Sequence, residues 1–312
     1  NTLLCAFVGC IIATVIGVFV GILRLSKNWI ISKLMAVYIE GFRNVPVLLW
    51  IVMIFALLTE MTPAPKAFKG ANPEASMLLF DSVAITNRGT YFPAPVWGSG
   101  STFLIIIFII SVLAVVFFRR YAKQLKKDTG KSLPTFWISM GIIVVPLVLF
   151  YFILGKPVGL NYPYLKGFNF KDGIHVRNSF IALTLALAFY TSAFIAEIVR
   201  SGILAISKGQ TEAASSLGMR PNKIMSLIIL PQALRVIVPP LISNYLNLTK
   251  NSSLAIAVGY MDVRGTLGGI TLNQTGRELE SMLLLMGFYL SVSLLISSVI
   301  NWYNRSFQIV VR

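Results

Sequence analysis

Long stretches of this chain carry no charged side chain at all: Leu3–Leu23, Phe103–Phe118, Phe136–Leu154, Phe180–Ala196 and Met282–Trp302. Each approaches or reaches the roughly 20 residues that cross about 30 Å of hydrocarbon. Composition agrees. Of 312 residues, 56% are hydrophobic and 12% charged, with a mean hydropathy of +0.78. A soluble domain of this length needs far more charge to cover its surface. The expected class is an all-α, polytopic helical membrane protein.

The chain opens on Asn1-Thr2-Leu3, with no initiator Met and no basic stretch before the first run. That run is a poor signal peptide, and its abrupt start predicts further residues upstream. Cys5 and Cys10 lie five positions apart within it and face different directions on a helix, so they read as small hydrophobes, not a disulfide or metal site. No CxxC, HExxH or His cluster occurs, and the lone His175 reads as an ordinary loop residue.

A net charge of +16 raises nucleic acid as a partner, but the placement of the charge excludes it. Two further spans, about Val45–Leu58 and about Ile237–Val258, bring the expected number to seven, with the fifth extended to Ile198. The loops then alternate between two sides. Arg24–Arg43, Arg119–Lys131, Arg200–Arg235 and the tail from Arg305 hold 17 Lys/Arg against three acids. Glu60–Gly100, Lys156–Arg177 and Asp262–Glu280 hold nine against seven. This is the bias of the positive-inside rule. The basic excess is a topology signal.

The second span is short, and Pro46 can open it at a first helical turn. The loop Glu60–Gly100, punctuated by Pro63, Pro65, Pro73, Pro93 and Pro95, is expected to be irregular and outside the membrane. The basic run Arg119–Lys127 reads as an orientation anchor that also meets anionic membrane lipid.

The loop Arg200–Arg235 has more internal order than a connector needs. Gly209–Gly218 reads as a short helix, with Ser207 or Thr211 as its cap and Gly218 as its close. Pro221 then opens a second helix carrying Ile224, Leu227, Ile228 and Pro231 on an amphipathic pattern. On these residues alone the loop is either a capped interfacial hairpin or a knob that fits a cleft in another protein.

Glu212-Ala213-Ala214-Ser215-Ser216-Leu217-Gly218, with Ile228, Leu230 and Pro231 in register behind it, resembles the EAA loop of bacterial ABC importer permeases. Tyr190–Ile203, Glu40–Leu49 and Leu248–Leu254 are similar to stretches of the polar amino-acid permeases, and an added pair of spans resembles the general L-amino-acid subfamily. The resemblance implies a type I ABC importer permease fold in one transmembrane domain, 1–312. Core helices fall in 1–58 and 178–304, an inserted loop and helix pair in 60–177, and a cytoplasmic coupling loop in 200–235. It implies that Glu212, Ala213, Ala214, Ser215, Leu217 and Gly218 dock into an ABC ATPase dimer, which alone binds ATP and Mg. No Gly-x-x-x-x-Gly-Lys-Ser/Thr occurs in this chain, so it holds no phosphate loop of its own and is not itself an enzyme. Further implied partners are a second, related permease subunit and a periplasmic amino-acid-binding protein. The implied location is the bacterial inner membrane, multi-pass, with the C-terminus cytoplasmic.

Polar residues inside a span are costly and should face a cavity or a partner. Asn244, Asn247 and Asn251 form one helical stripe, accompanied by Thr249, Lys250 and Ser252. Such groups can supply donors and acceptors to a zwitterionic amino acid; equally, they can bind one membrane helix to another. Glu40 and Arg43 read as a gate pair or a structural pair, and Glu197 with Arg200 as a local ion pair. The competing function is an ion-gradient-driven secondary transporter, which needs buried acids in mid-span; none is securely placed there.

Overall fold

The computed structural model describes residues 1–69, 74–130 and 133–307, with side chains described as far as residue 299. Its long helices are α1 (Thr2–Arg24), α2 (Trp29–Asn44), α3 (Val47–Glu60), α4 (Ser101–Thr129), α5 (Thr135–Ile153) and α6 (Asn178–Leu204). A shorter α7 (Lys208–Ser216) follows, then α8 (Pro221–Val258) and α9 (Glu278–Phe307). Helices are the form in which an apolar segment satisfies its own backbone in hydrocarbon. Among the described residues six are long and apolar enough to cross a membrane, or seven spans if the bent pair α2–α3 is one.

That bent pair departs from expectation. Residues 24–43 read as a loop because Lys33, Glu40 and Arg43 interrupt any apolar run, yet they form most of α2. Asn28 caps this helix, its Oδ1 accepting from the amides of Ile30 (3.0 Å) and Ile31 (3.3 Å). The break after Asn44 has a local cause. A residue preceding proline is driven to extended backbone, and Val45, ahead of Pro46, has φ −103° and ψ 133°. The two helices meet at a bend of 105°, across which Phe42 stacks on Trp50 with centroids 4.3 Å apart. At 14 residues α3 is about 21 Å long, too short to cross alone.

The described chain forms two compact units. The first comprises Asn1–Thr62, Thr86–Arg88 and Val176–Arg312. Its centre is α6, where Ala182, Leu183, Ala186, Leu187, Ala193, Ile195 and Ala196 are buried. Along α1, small residues recur every fourth position at Cys5, Gly9, Ala13, Gly17 and Gly21, all buried. This is the pattern that lets membrane helices approach closely. A Cβ on Gly17 would stand 2.6 Å from Ile195 Cβ, and one on Gly21 would stand 2.7 Å from the Ala196 carbonyl oxygen. Cys5 is fully buried with Sγ 3.4 Å from Thr184 Oγ1. Cys5 belongs to the buried core, and Cys10 packs partly buried against it.

Asn178, at the start of α6 and 3% exposed, ties three segments together. Its Nδ2 donates to the carbonyls of Leu58 (3.2 Å) and Thr86 (3.1 Å). Asn178→Leu should therefore take a donor from the buried Thr86 carbonyl and the half-buried Leu58 carbonyl and lower stability by about 1–3 kcal/mol. A thermal melt of the purified variant measures this; a midpoint equal to that of the parent would refute the clamp.

The second unit comprises Pro63–Ile85 and Gly89–His175. It holds the α4–α5 hairpin and, but for the last residue of β1 and of β7, short strands where irregular chain was expected: β1 (Ala84–Thr86), β2 (Gly89–Phe92), β3 (Ala94–Trp97), β4 (Val158–Asn161), β5 (Tyr164–Lys166), β6 (Asn169–Lys171) and β7 (Ile174–Val176). β3 pairs antiparallel with β4, from Ala94 opposite Asn161 to Trp97 opposite Val158, and β5 with β6. A three-stranded sheet runs β1–β2–β7. Strands of three or four residues leave almost no alternating pattern, and two of the pairings, β3 with β4 and β2 with β7, reach across two spans. Tyr91 Oη, for instance, donates to Asn169 Oδ1 at 2.8 Å. His175, expected in a loop, lies in β7 with its ring stacked 4.5 Å from that of Tyr91.

Candidate functional site

The helix expected between Gly209 and Gly218 is α7. Ser207 occupies the cap position with extended backbone, but no side-chain hydrogen bond comes from it, and Thr211 sits inside the helix. Neither hydroxyl caps. The other end is closed as expected. Gly218 adopts φ +71°, a conformation that costs an L side chain about 1–2 kcal/mol. Its amide donates to Ser215 O (2.9 Å) and that of Met219 to Ala214 O (3.2 Å), the paired bonds of a Schellman close. Ser215 and Ser216 turn their hydroxyls back onto the carbonyls of Thr211 and Glu212. Ala214 faces inward at 3% exposure, while Glu212, Ala213, Ser215, Leu217 and Gly218 are exposed, Leu217 at 81%. An exposed leucine beside small side chains and a carboxylate is a surface suited to a partner's cleft.

Pro221 opens the next helix, and Ile224 is its buried anchor. This helix does not end before the next span. It continues through a π turn at Met225–Ile229, over Pro239 and Pro240, and into a tight final turn at Ser252–Val258. All of Pro221–Val258, 38 residues, is one element. The expected separate hairpin helix and span are thus joined: Pro231 stands just after the π turn, and the helix runs on over Pro239 and Pro240.

On α8 the structure divides the expected pathway residues. Asn244 and Asn251 are half-buried, and Asn247 and Lys250 exposed. Asn244 Nδ2 donates to Pro240 O at 3.0 Å. Thr249 and Ser252 are buried on another side, where their hydroxyls bond the carbonyls of Tyr245 and Thr249. They satisfy the helix backbone and do not extend the stripe. The open stripe is therefore Asn244, Asn247, Lys250 and Asn251.

Glu40 and Arg43 do not pair. Glu40 Oε2 accepts from Asn44 Nδ2 at 3.1 Å, whereas the Arg43 guanidinium lies 5.3 Å from the Phe194 ring centroid. Three positions apart near the end of a bent helix, they point to different neighbours. The Glu197–Arg200 pair is present, with Nη2 to Oε1 at 2.6 Å and Nε contacting both carboxylate oxygens at 3.1 Å. Two contacts were missed from sequence: Tyr38 Oη to Ser192 Oγ at 2.6 Å, and the Asn178 clamp. Neither leaves a local pattern, since each joins residues over 90 positions apart.

Residues 127–308, more than half of the chain, match the family described as binding-protein-dependent transport system inner membrane component. The chain belongs to this family. The inner-membrane component is 52% identical over 311 residues to the glutamate/glutamine/aspartate/asparagine transport system permease protein BztB of Rhodobacter capsulatus, covering 92% of this chain and 72% of that one. It is 43% identical to the general L-amino acid transport system permease protein AapQ of Rhizobium johnstonii, over all of this chain and 76% of the relative. The putative amino-acid ABC transporter permease protein YhdX of Escherichia coli is 42% identical, over all of this chain and 77% of the relative. Both alignments run through the inserted residues 60–177, so these two relatives extend over the same insertion. A solved structure, described as a crystal structure of an amino acid ABC transporter with histidines, shares the fold at a TM-score of 0.55 and 20% identity, covering 98% of this chain and 90% of that one. The component is thus a multi-pass membrane subunit of a transport system.

Proposed function

We propose that this chain is the membrane-spanning subunit of an ATP-driven importer that receives amino acids from a periplasmic binding protein and releases them to the cytoplasm by alternating access. The observation that carries the reading is α7: an exposed, glycine-closed helix joined through α8 to a polar stripe within a span. In this reading α7 lies on the cytoplasmic side with the C-terminus, and the exposed Glu212, Ala213, Ser215, Leu217 and Gly218 form the surface gripped by an ATPase dimer, with the buried Ala214 seating the helix behind them. ATP and Mg bind to that dimer. Small side chains let helix and groove approach closely, and different contacts with two ATPase states bias two permease states. Asn244, Asn247, Lys250 and Asn251 offer acceptors for an ammonium and donors for a carboxylate. Amino acids as cargo are supported by the names of the full-length relatives.

The membrane partner in this reading is a second, related permease. Two different glutamine permease proteins of Bacillus subtilis, GlnM and GlnP, each match 86 residues of this chain, at 51% and 43% identity, which supports paired, non-identical subunits. Purification from native membrane should recover two distinct permease chains with the ATPase; two copies of this chain alone would reject the pairing. The decisive test of function is uptake of labelled amino acids into proteoliposomes holding the purified complex. Uptake should require ATP, the ATPase and the binding protein together. Uptake driven by an ion gradient without ATP would sink the proposal.

A further inference from the structure

Helix α4 is longer than a span requires. Its apolar part, Ser101–Phe118, covers about 27 Å, close to the hydrocarbon thickness. The helix then continues as Arg119–Thr129, carrying Arg119, Arg120, Lys123, Lys126 and Lys127, all exposed. Orientation in the membrane needs charge at this end but sets no demand on which side of the helix it occupies. Here the side is defined. At 3.6 residues per turn, the five cations fall within an arc of about 120° and extend about 12 Å along the axis. Tyr121, Gln124 and Asp128 take the opposite side. Of the four buried positions, Ser111, Val115 and Ala122 mark a third direction, flanking the basic arc; the fourth, Ser101, lies at the far end of the helix.

The other half of the hairpin supplies aromatic groups at the same level. Arg119 Nε donates to Ser139 Oγ of α5 at 3.4 Å, which fixes the level of the first cation against the first turns of α5. Phe136 and Trp137, in those turns, are 65% and 71% exposed. Exposed Trp and Tyr at the end of an apolar segment are interfacial anchors. Among the described residues, none of the five cations is in an ion pair. A one-sided row of unpaired cations, starting where the apolar segment ends and flanked by interfacial aromatics, has charge and depth suited to phosphate headgroups. An acidic protein surface would match the charge but not the depth of Arg119, Arg120 and Trp137.

We propose that the basic arc of α4, with Trp137 beside it, is a binding surface for anionic phospholipid headgroups on one side of the inserted helix pair. The proposal does not depend on what the chain transports. It is tested by leaving Trp137 as the sole tryptophan of the full chain, with Trp29, Trp50, Trp97 and Trp302 replaced by phenylalanine. The protein is placed in phosphatidylcholine vesicles with a minor share of phosphatidylglycerol, bromine being carried by one lipid or the other. Brominated phosphatidylglycerol should quench Trp137 about threefold or more beyond its share of the bilayer, since each Lys or Arg near the surface adds to the attraction.

That preference should disappear in the triple variant Arg120→Gln, Lys123→Gln, Lys127→Gln. It should also fall at high salt with the cations unchanged, a measurement that does not depend on the variant's folding. A companion protein retaining only Trp97, which sits at the other end of α4, should be unaffected by the triple substitution. Quenching in proportion to bilayer composition, or a preference that survives both salt and neutralisation, would overturn the proposal. So would crosslinks from Lys126 to an acidic protein with no lipid preference at Trp137.

Discussion

Gly17→Leu should prevent α1 from seating on α6 and leave little of the first unit correctly folded. The argument is geometric. The first side-chain carbon alone would stand 2.6 Å from Ile195 Cβ and 2.8 Å from the Ser192 carbonyl oxygen, separations that real Cβ contacts do not show. Neither neighbour can swing aside, because one is the root of a fully buried side chain and the other is backbone. Overpacking of this kind costs about 1–3 kcal/mol where backbones can shift, and four carbons leave nowhere to shift to.

The glycines make a graded series. Gly17→Ala should destabilise clearly. Gly9→Ala should be mild, because its Cβ would meet Leu248 at an ordinary 3.4 Å. Gly41→Ala in α2 should be neutral or slightly stabilising, since nothing lies within 4 Å and alanine favours helix. Thermal unfolding and the monodisperse fraction in detergent read the order. A Gly17→Leu protein that melts with its parent would show that α1 does not pack as described.

The second large effect concerns α7. Gly218→Glu and Glu212→Lys should each lower ATP-dependent uptake about tenfold or more, the range of a lost coupling free energy, while the partner ATPase still hydrolyses ATP. Both residues are exposed, so the amount of inserted protein should be unchanged. Gly218→Ala separates the two contributions of the glycine. An added Cβ meets nothing within 4 Å, so alanine bears the backbone cost of φ +71° without introducing bulk or charge at the docking surface. Its loss should be the smaller one. Full uptake in both charged variants would remove α7 from the mechanism.

What could be read from the sequence follows the range of each interaction. Apolar runs and the glycine that closes α7 are local, and both appear in the structure where the residues place them. The four-residue recurrence from Cys5 to Gly21 was equally local but lay hidden within an apolar run already assigned to lipid. Helix α2 was concealed by three charges, although Asn28 was a cap in plain view. The strands of the second unit and the Asn178 clamp were not legible at all. Tyr91 meets Asn169, and Asn178 meets Leu58, only after the chain has folded back across the spans between them. The polar stripe lay between these cases: its spacing was visible, but only the hydrogen bonds of Thr249 and Ser252 removed those two from it.

Helix α8 meets α6 closely where Ile237 lies against Gly202, since a Cβ on that glycine would overlap Ile237 Cγ1. That point is near the middle of the rod, with Pro221 about 24 Å to one side and Asn251 about 21 Å to the other. A beam resting on a central fulcrum works as a see-saw. A tilt of about 10° would carry each end about 4 Å in opposite directions at that rise per residue. Force applied beside α7 would then arrive at Asn251 reversed in sign and almost unreduced in amplitude. A larger side chain at position 202 would raise the pivot and spoil both ends at once, without touching either.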